Sequence, residues 1–173
     1  MFGTGISLER SHRTATLADL PRIVEIYNAT VPSRQVTADL EPVTVESRIQ
    51  WFHAHRPDTR PLWVVEANDE ILAWLSFSDF YGRPGYNRTA ELSVYVDASA
   101  RRTGLGTYLL SEAIRCAPCL NLDRLLAFVF GHNEPSLALF QKFGFQQWGF
   151  LPGVGLLDNI DRDLVILGFK IET

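Results

Sequence analysis

The sequence predicts an α/β domain, an α+β mixed sheet flanked by helices, on three observations. Apolar runs of strand length, Leu62 to Ala67, Ile71 to Ser78, Thr89 to Val96 and Arg124 to Phe130, are interleaved with segments of helical period. Asn68-Asp69 joins the first two runs as a hairpin. A helical pattern separates Val96 from Arg124, so strand hairpins and crossover connections occur in one chain. The order reads β–α–α–β–β–β–α–β–α–β–β.

Each element has a local cause. Residues 1–11 read as a loose leader, with one domain over 12–173. Thr16-Leu17-Ala18-Asp19 has capping-box spacing with Pro21 in the first turn. Leu20, Ile23, Val24 and Tyr27 then recur at helical spacing to about Thr30. Thr44 caps a second helix to about His55, with Ile49 and Phe52 turned inward. Asp79 to Arg88 is a loop, punctuated by Gly82, Pro84 and Gly85. From Gly104 a helical pattern carries Leu105, Tyr108, Leu109 and Ala113 toward Cys116. Asn133-Glu134-Pro135-Ser136 starts another helix and Phe143-Gly144 stops it. Phe145 to Leu151 and Leu164 to Phe169 are the closing strands.

Composition bounds the function. With 173 residues and 46% hydrophobic content the chain can bury a full core. Its net charge of −4 argues against nucleic acid or an anionic membrane as principal partner, since both require a basic face. Two cysteines make no disulfide framework, and no apolar run has the length of a signal core or a membrane span. The expected location is the cytoplasm.

The stretch that carries chemistry is Glu91 to Thr107. A strand ends in a short basic turn, Arg101-Arg102-Thr103-Gly104-Leu105-Gly106-Thr107, that opens a helix. Such a turn exposes several backbone N–H groups at the positive end of a helix dipole, which favours an anionic phosphate. It lacks the third glycine of a dinucleotide fingerprint and the Gly-Lys-Ser/Thr of a Walker loop. It does match Arg-x-x-Gly-x-Gly, and further on come Asn133-x-x-Ser136 at a helix start and Phe143-Gly144-Phe145.

On these motifs the chain resembles the GCN5-related N-acetyltransferase (GNAT) superfamily. It is most similar there to the phosphinothricin and methionine sulfoximine acetyltransferase-like group. Ile26-Tyr27-Asn28, Glu41-Pro42, Trp51-Phe52, Tyr86-Asn87-Arg88-Thr89-Ala90-Glu91 and Ser93-Val94-Tyr95-Val96 carry the closer resemblance. It implies a mostly antiparallel sheet with one splayed parallel strand pair, and acetyl transfer from acetyl-CoA to the primary amine of a small molecule, such as an amino-acid analogue, in a ternary complex. It assigns Val94, Tyr95 and Val96 to the pantetheine arm, Arg101 through Thr107 to the pyrophosphate, and Asn133 and Ser136 to the region of the thioester. A backbone N–H near Val94 would face the developing oxyanion. Glu91 would be the general base. The group's members are homodimers, so a homodimer is expected.

The chain departs from the group at three places. Leu92 stands where the group has His, Phe140 stands where it has His or its superfamily Tyr, and Ile160-Asp161-Arg162-Asp163 keeps only the final Asp of Gly-Arg-Trp-x-Asp. Phe140 cannot donate a proton, which leaves Tyr95, Tyr108, water or an unassisted thiolate. Arg83 and Tyr86 are candidates for an acceptor carboxylate. Two other readings stand beside transfer to a small amine: a CoA-binding module with little transferase activity, and acetylation of a protein N-terminus or lysine. Glu91 facing solvent or pairing with Arg88 is the plain structural alternative to its role as base.

Cys116-Ala117-Pro118-Cys119 falls at a helix end, where the dipole does not activate a thiol, and reads as small apolar filler. No metal site is expected, because no further ligands have the needed spacing. His53 and His55 read as surface residues and His132 as part of a loop. Trp51, Phe52, Trp63, Trp74, Phe77 and Phe80 read as core or acceptor-pocket wall.

Overall fold

The computed structural model describes residues 10–172, so the leader lies outside the described residues apart from Arg10 and Ser11. A seven-stranded sheet runs through the molecule: β1 (His12–Thr14), β2 (Leu62–Ala67), β3 (Glu70–Asp79), β4 (Thr89–Val96), β5 (Arg124–Phe130), β6 (Gln146–Leu157) and β7 (Ile160–Lys170). The spatial order is β1-β2-β3-β4-β5-β7-β6. Every neighbouring pair is antiparallel except β4 with β5. The mixed sheet expected from hairpins and crossovers is therefore what forms.

Period-two alternation splits the apolar residues between two cores. Trp63, Val65, Ala73, Leu75, Phe77, Ala90 and Leu92 face α3 (Leu105–Cys116) and α4 (Glu134–Lys142). Leu109 and Leu110 of α3 are fully buried there, each contributing roughly 1.5–3 kcal/mol by removal from water. Leu62, Val64, Ile71 and Trp74 point the other way, with Ile23 and Ile26 of α1 (Leu20–Asn28). The Thr16 N–H donates to the Asp19 carboxylate at 2.7 Å as the capping box requires, although Leu17–Asp19 is a 3-10 turn that leads into α1.

Helix α2 (Val45–Ala54) starts where Thr44 accepts from the Ser47 N–H at 3.2 Å, but it buries no residue completely. Ile49, expected inside, is 38% exposed, and Trp51 and Phe52 do the packing instead. His55 also departs from a surface residue. It lies edge-on to Trp51 at 4.7 Å with Nδ1 2.9 Å from the Trp51 carbonyl, and burial lowers its pKa.

The two closing strands are longer than their apolar runs suggest. The strand expected to end at Leu151 continues through Pro152-Gly153 as a bulge, with a register shift between Leu151 and Gly155. Gly153 has φ +59° and its N–H donates to Asp163 at 2.8 Å, which gives the retained Asp a structural task. Asp158 and Asn159, both at positive φ, close the hairpin.

Candidate active site

The parallel pairing of β4 with β5 covers only Thr89 with Arg124, Ala90 with Leu125 and Glu91 with Leu126. Past Glu91 the strands diverge, and main-chain groups on that edge of β4 have no strand partner among the described residues. The gap is lined by Leu92, Ser93, Val94, Tyr95, Ala127, Phe128, Val129, Asn133, Ser136 and Phe140. Asn133 is buried and caps α4 by accepting from the Ser136 N–H at 3.2 Å. The apolar ring of Phe140 packs against Phe145 at 5.0 Å.

The opposite face of β4 forms the floor of a cavity of about 210 Å³ beneath α1 and α2. Here the alternation puts Glu91, Ser93 and Tyr95 on the cavity side, in register with Ser78, Ser76 and Trp74 of β3. Tyr95 stacks on Trp74 at 4.3 Å and 15°. Tyr27, Arg48 and Trp51 form the wall. Arg48 lies 4.8 Å over the Tyr27 ring and is held by Asp39 at 3.1 Å, while the Tyr27 hydroxyl bonds Asp39 and Thr37. Asn28 grips Val43 through both its N–H and its carbonyl, fixing the rim. Ser93 and Tyr95 line both the gap and the cavity, so the two spaces meet at β4.

Electrostatics separate the cavity's groups. Glu91 has lost much of its hydration without gaining a charged partner, so its pKa is raised above the ordinary glutamate value. Arg88, its candidate partner, pairs with Asp123 at 2.8 Å instead. Burial, together with the nearby Tyr27, pushes the Tyr95 hydroxyl up, so it stays protonated. Tyr108 is engaged elsewhere, its hydroxyl 2.9 Å from His12 Nδ1.

Beyond β4 the chain turns sharply. Asp97 accepts from the Ser99 hydroxyl and N–H and pairs with Arg22 at 2.9 Å, contacts that together hold its carboxyl below the usual range. Arg102 has φ +61° and Gly104 φ +86°, the latter at the N-cap of α3. Thr103 ties the turn by donating to the Ala100 carbonyl at 2.6 Å. Arg101 and Arg102 are exposed and form no ion pair among the described residues. A Cβ on Gly106 would lie 3.3 Å from Leu139 but only at ordinary van der Waals distance from Val94 and Val96, so glycine eases the approach of α3 to α4.

The structure thus gathers Glu91, Val94, Tyr95, Asn133 and Ser136 around the gap and cavity. Val96 and the turn from Arg101 to Thr107 continue directly from them. Arg83 and Tyr86 sit apart, on the exposed turn Pro84–Tyr86, and do not line the cavity. Cys119 is exposed and Cys116 half-buried, its thiol pushed up by burial. His132 bonds the Arg34 carbonyl at 2.7 Å. Among the described residues no three His, Cys, Asp or Glu side chains converge as metal ligands, and no helix is long and apolar enough to cross a membrane. Arg48 is the charged cavity residue that sequence reasoning missed. Its one local signal is helical spacing, three residues before Trp51 on the same face.

A sheet opened between one parallel strand pair, with a glycine-bearing basic turn at the end of the first strand, is an architecture for an extended anionic cosubstrate. The Acetyltransferase (GNAT) family profile matches residues 20–145, and the chain belongs to that family. It is 54% identical over 161 residues to YwnH of Bacillus subtilis (strain 168), provisionally named a phosphinothricin acetyltransferase, covering 92% of this chain and 98% of that one. It is 34% identical over 166 residues to the L-methionine sulfoximine/L-methionine sulfone acetyltransferase of Pseudomonas paraeruginosa (strain DSM 24068 / PA7), covering 95% and 96%. Among solved structures, a GNAT superfamily phosphinothricin acetyltransferase from Sinorhizobium meliloti in complex with AcCoA superposes with TM-score 0.88 at 25% identity, covering 95% of this chain and 89% of that one. The chain is an acetyltransferase that uses acetyl-CoA.

Proposed function

We propose that this protein acetylates the primary amine of a small molecule, an amino acid or amino-acid analogue, by direct attack while both substrates are bound. The observation that carries the reading is Glu91, an unpaired half-buried carboxylate on the floor of a 210 Å³ cavity, on the strand whose edge opens into the adjoining gap. Ligand pockets of roughly 300–1,000 Å³ suit drug-sized molecules, so this space favours a smaller acceptor. Relatives named for phosphinothricin and for methionine sulfoximine or sulfone point the same way.

Bound acetyl-CoA supplies the thioester carbonyl. Glu91 takes the proton that the ammonium must lose, directly or through water. The N–H near Val94 stabilises charge on the carbonyl oxygen as the C–N bond forms. The C–S bond then breaks, and Tyr95 relays the proton given up by the attacking nitrogen to the leaving thiolate, so its own hydroxyl ends protonated. Val94, Tyr95 and Val96 offer free strand edge to the pantetheine arm, and Arg101 through Thr107 cradle the pyrophosphate. Asn133 and Ser136 lie at the thioester end.

The protein works in the cytoplasm as a homodimer. The dimer is supported by an exposed apolar strip on the β6–β7 hairpin, Trp148, Phe150, Val154, Leu156 and Ile160. The test is turnover of acetyl-CoA with a panel of amino acids, their side-chain oxo analogues and peptides, read by thiol release and product mass. Acetylated small amines are expected. Tight CoA binding with no turnover would leave a binding module, and turnover confined to peptides would move the acceptor to proteins.

A further inference from the structure

We infer that Arg10, in the segment preceding β1, is a positioning residue of the cosubstrate cradle, gripping the Thr103 carbonyl and adding a third guanidinium to the turn. The inference rests on the reading that Arg101 through Thr107 hold the pyrophosphate. Arg10 Nη2 donates to the Thr103 oxygen at 2.6 Å. A Cβ built on Gly104 would lie 3.0 Å from Nη1, 3.1 Å from Nη2 and 3.3 Å from Cζ, so the guanidinium lies face-on against the glycine. Gly104 is required by its φ of +86°, and the Arg10 guanidinium occupies the space its missing side chain leaves.

The peptide joining Thr103 to Gly104 is trans, so its N–H points opposite to its carbonyl. Holding the carbonyl fixes the direction of the Gly104 N–H, a donor at the mouth of α3. The placement of Arg10 is itself enforced, because His12 locks β1 to α3 through Tyr108 at 2.9 Å and packs on Trp63 at 4.3 Å. Arg10, Arg101 and Arg102 thus gather at the positive end of a helix whose first turn has no acidic residue, whereas α2 and α4 begin with Glu46 and Glu134. Cations at a helix N-terminus are unfavourable alone and become favourable when an anion arrives between them.

The experiment compares Arg10→Ala, Arg10→Lys and Arg102→Ala in the full chain, by calorimetric titration with CoA and by initial rates with acetyl-CoA and S-acetylpantetheine. Arg10→Ala is expected to raise the Kd for CoA and the KM for acetyl-CoA roughly fivefold, the scale of one exposed charged contact. The kcat at saturation, the KM for the amine and turnover of S-acetylpantetheine, which has no pyrophosphate, should stay as in the wild type. Arg10→Lys should recover part of the loss, keeping charge but not the planar fork. If Arg102→Ala weakens CoA and Arg10→Ala does not, the role of Arg10 is overturned while the cradle stands. If neither weakens CoA, the cradle reading falls and takes this inference with it. Arg10→Gln, which keeps a donor without charge, replaces any variant whose circular dichroism shows misfolding.

Discussion

Replacing Glu91 with Gln removes the proposed base and its half-buried carboxylate while keeping the shape of the side chain. Among the described residues Glu91 is the single carboxylate lining the cavity. The other ionisable groups there are Arg48 and the two tyrosines Tyr27 and Tyr95, whose pKa values are raised, so no neighbour can substitute. General-base catalysis is typically worth about 10²–10⁴-fold, or roughly 3–5 kcal/mol of barrier at 1.36 kcal/mol per tenfold. Glu91→Gln should lose kcat on that scale with KM for acetyl-CoA unchanged, measured by thiol release between pH 5 and 10. The wild-type profile should show an acid limb above the ordinary glutamate value, because burial raises the Glu91 pKa. In the variant that limb should vanish, leaving a rate that rises only with the fraction of free amine. Stability moves oppositely. A raised folded-state pKa stabilises fully below the unfolded value, and the contribution is lost as pH rises through the folded one. The variant's melting temperature should therefore overtake the wild type's as pH increases. Unchanged kcat with an unchanged acid limb would refute the role of Glu91.

Two further substitutions test other parts of the site. Tyr95→Phe keeps the stack on Trp74 but removes the protonated hydroxyl. The expected loss in kcat is about tenfold, below the usual ~10²-fold, because a thiolate with pKa ~8.5 leaves with little help. Unaltered single-turnover rates would assign that proton to water. Arg60 is 4% exposed and ties the loop after β3 at both ends. Its Nη2 donates to the Asn87 and Thr89 carbonyls, and its Nε lies 2.7 Å from the Asp79 carboxylate but off the hydrogen-bond direction. Arg60→Met should cost roughly 2–3 kcal/mol by removing the charge-assisted hydrogen bonds of a buried guanidinium to part-buried carbonyls, lowering Tm by about 5–10 °C. A shift under about 2 °C in calorimetry would show that the clamp is not needed.

What the sequence made legible was local or periodic. The run from Glu91 to Thr107 declares a strand, a turn and a helix start from neighbouring residues, and β4, the turn and α3 fall where the pattern puts them. Alternation also tells which residues of β4 share a face, which is why Glu91 and Tyr95 end on one side and Leu92 and Val94 on the other. The rest depended on residues far apart in the chain. Arg10 meets Thr103, and Arg60 meets Asn87, through contacts that no local pattern encodes. Ile49 looks apolar enough to be buried, but α2 lies at the margin of its core and turns Trp51 and Phe52 inward instead. The extension of β6 past Pro152 depends on Asp163 in the next strand satisfying the bulge.

The divergence of β4 from β5 also bears on how the chain avoids joining itself to other chains. An open strand edge is normally a hazard, because any passing strand can pair with it. Here the free edge lies inside the sheet, in a wedge that closes at Glu91 and Leu126 and is covered at its back by Phe140 and Asn133. A single flexible arm can enter such a wedge, whereas another polypeptide strand needs the full spacing of about 4.7–4.9 Å along its whole length. If Val94, Tyr95 and Val96 receive the cosubstrate's arm as proposed, this main-chain edge is open to that arm and closed to aggregation.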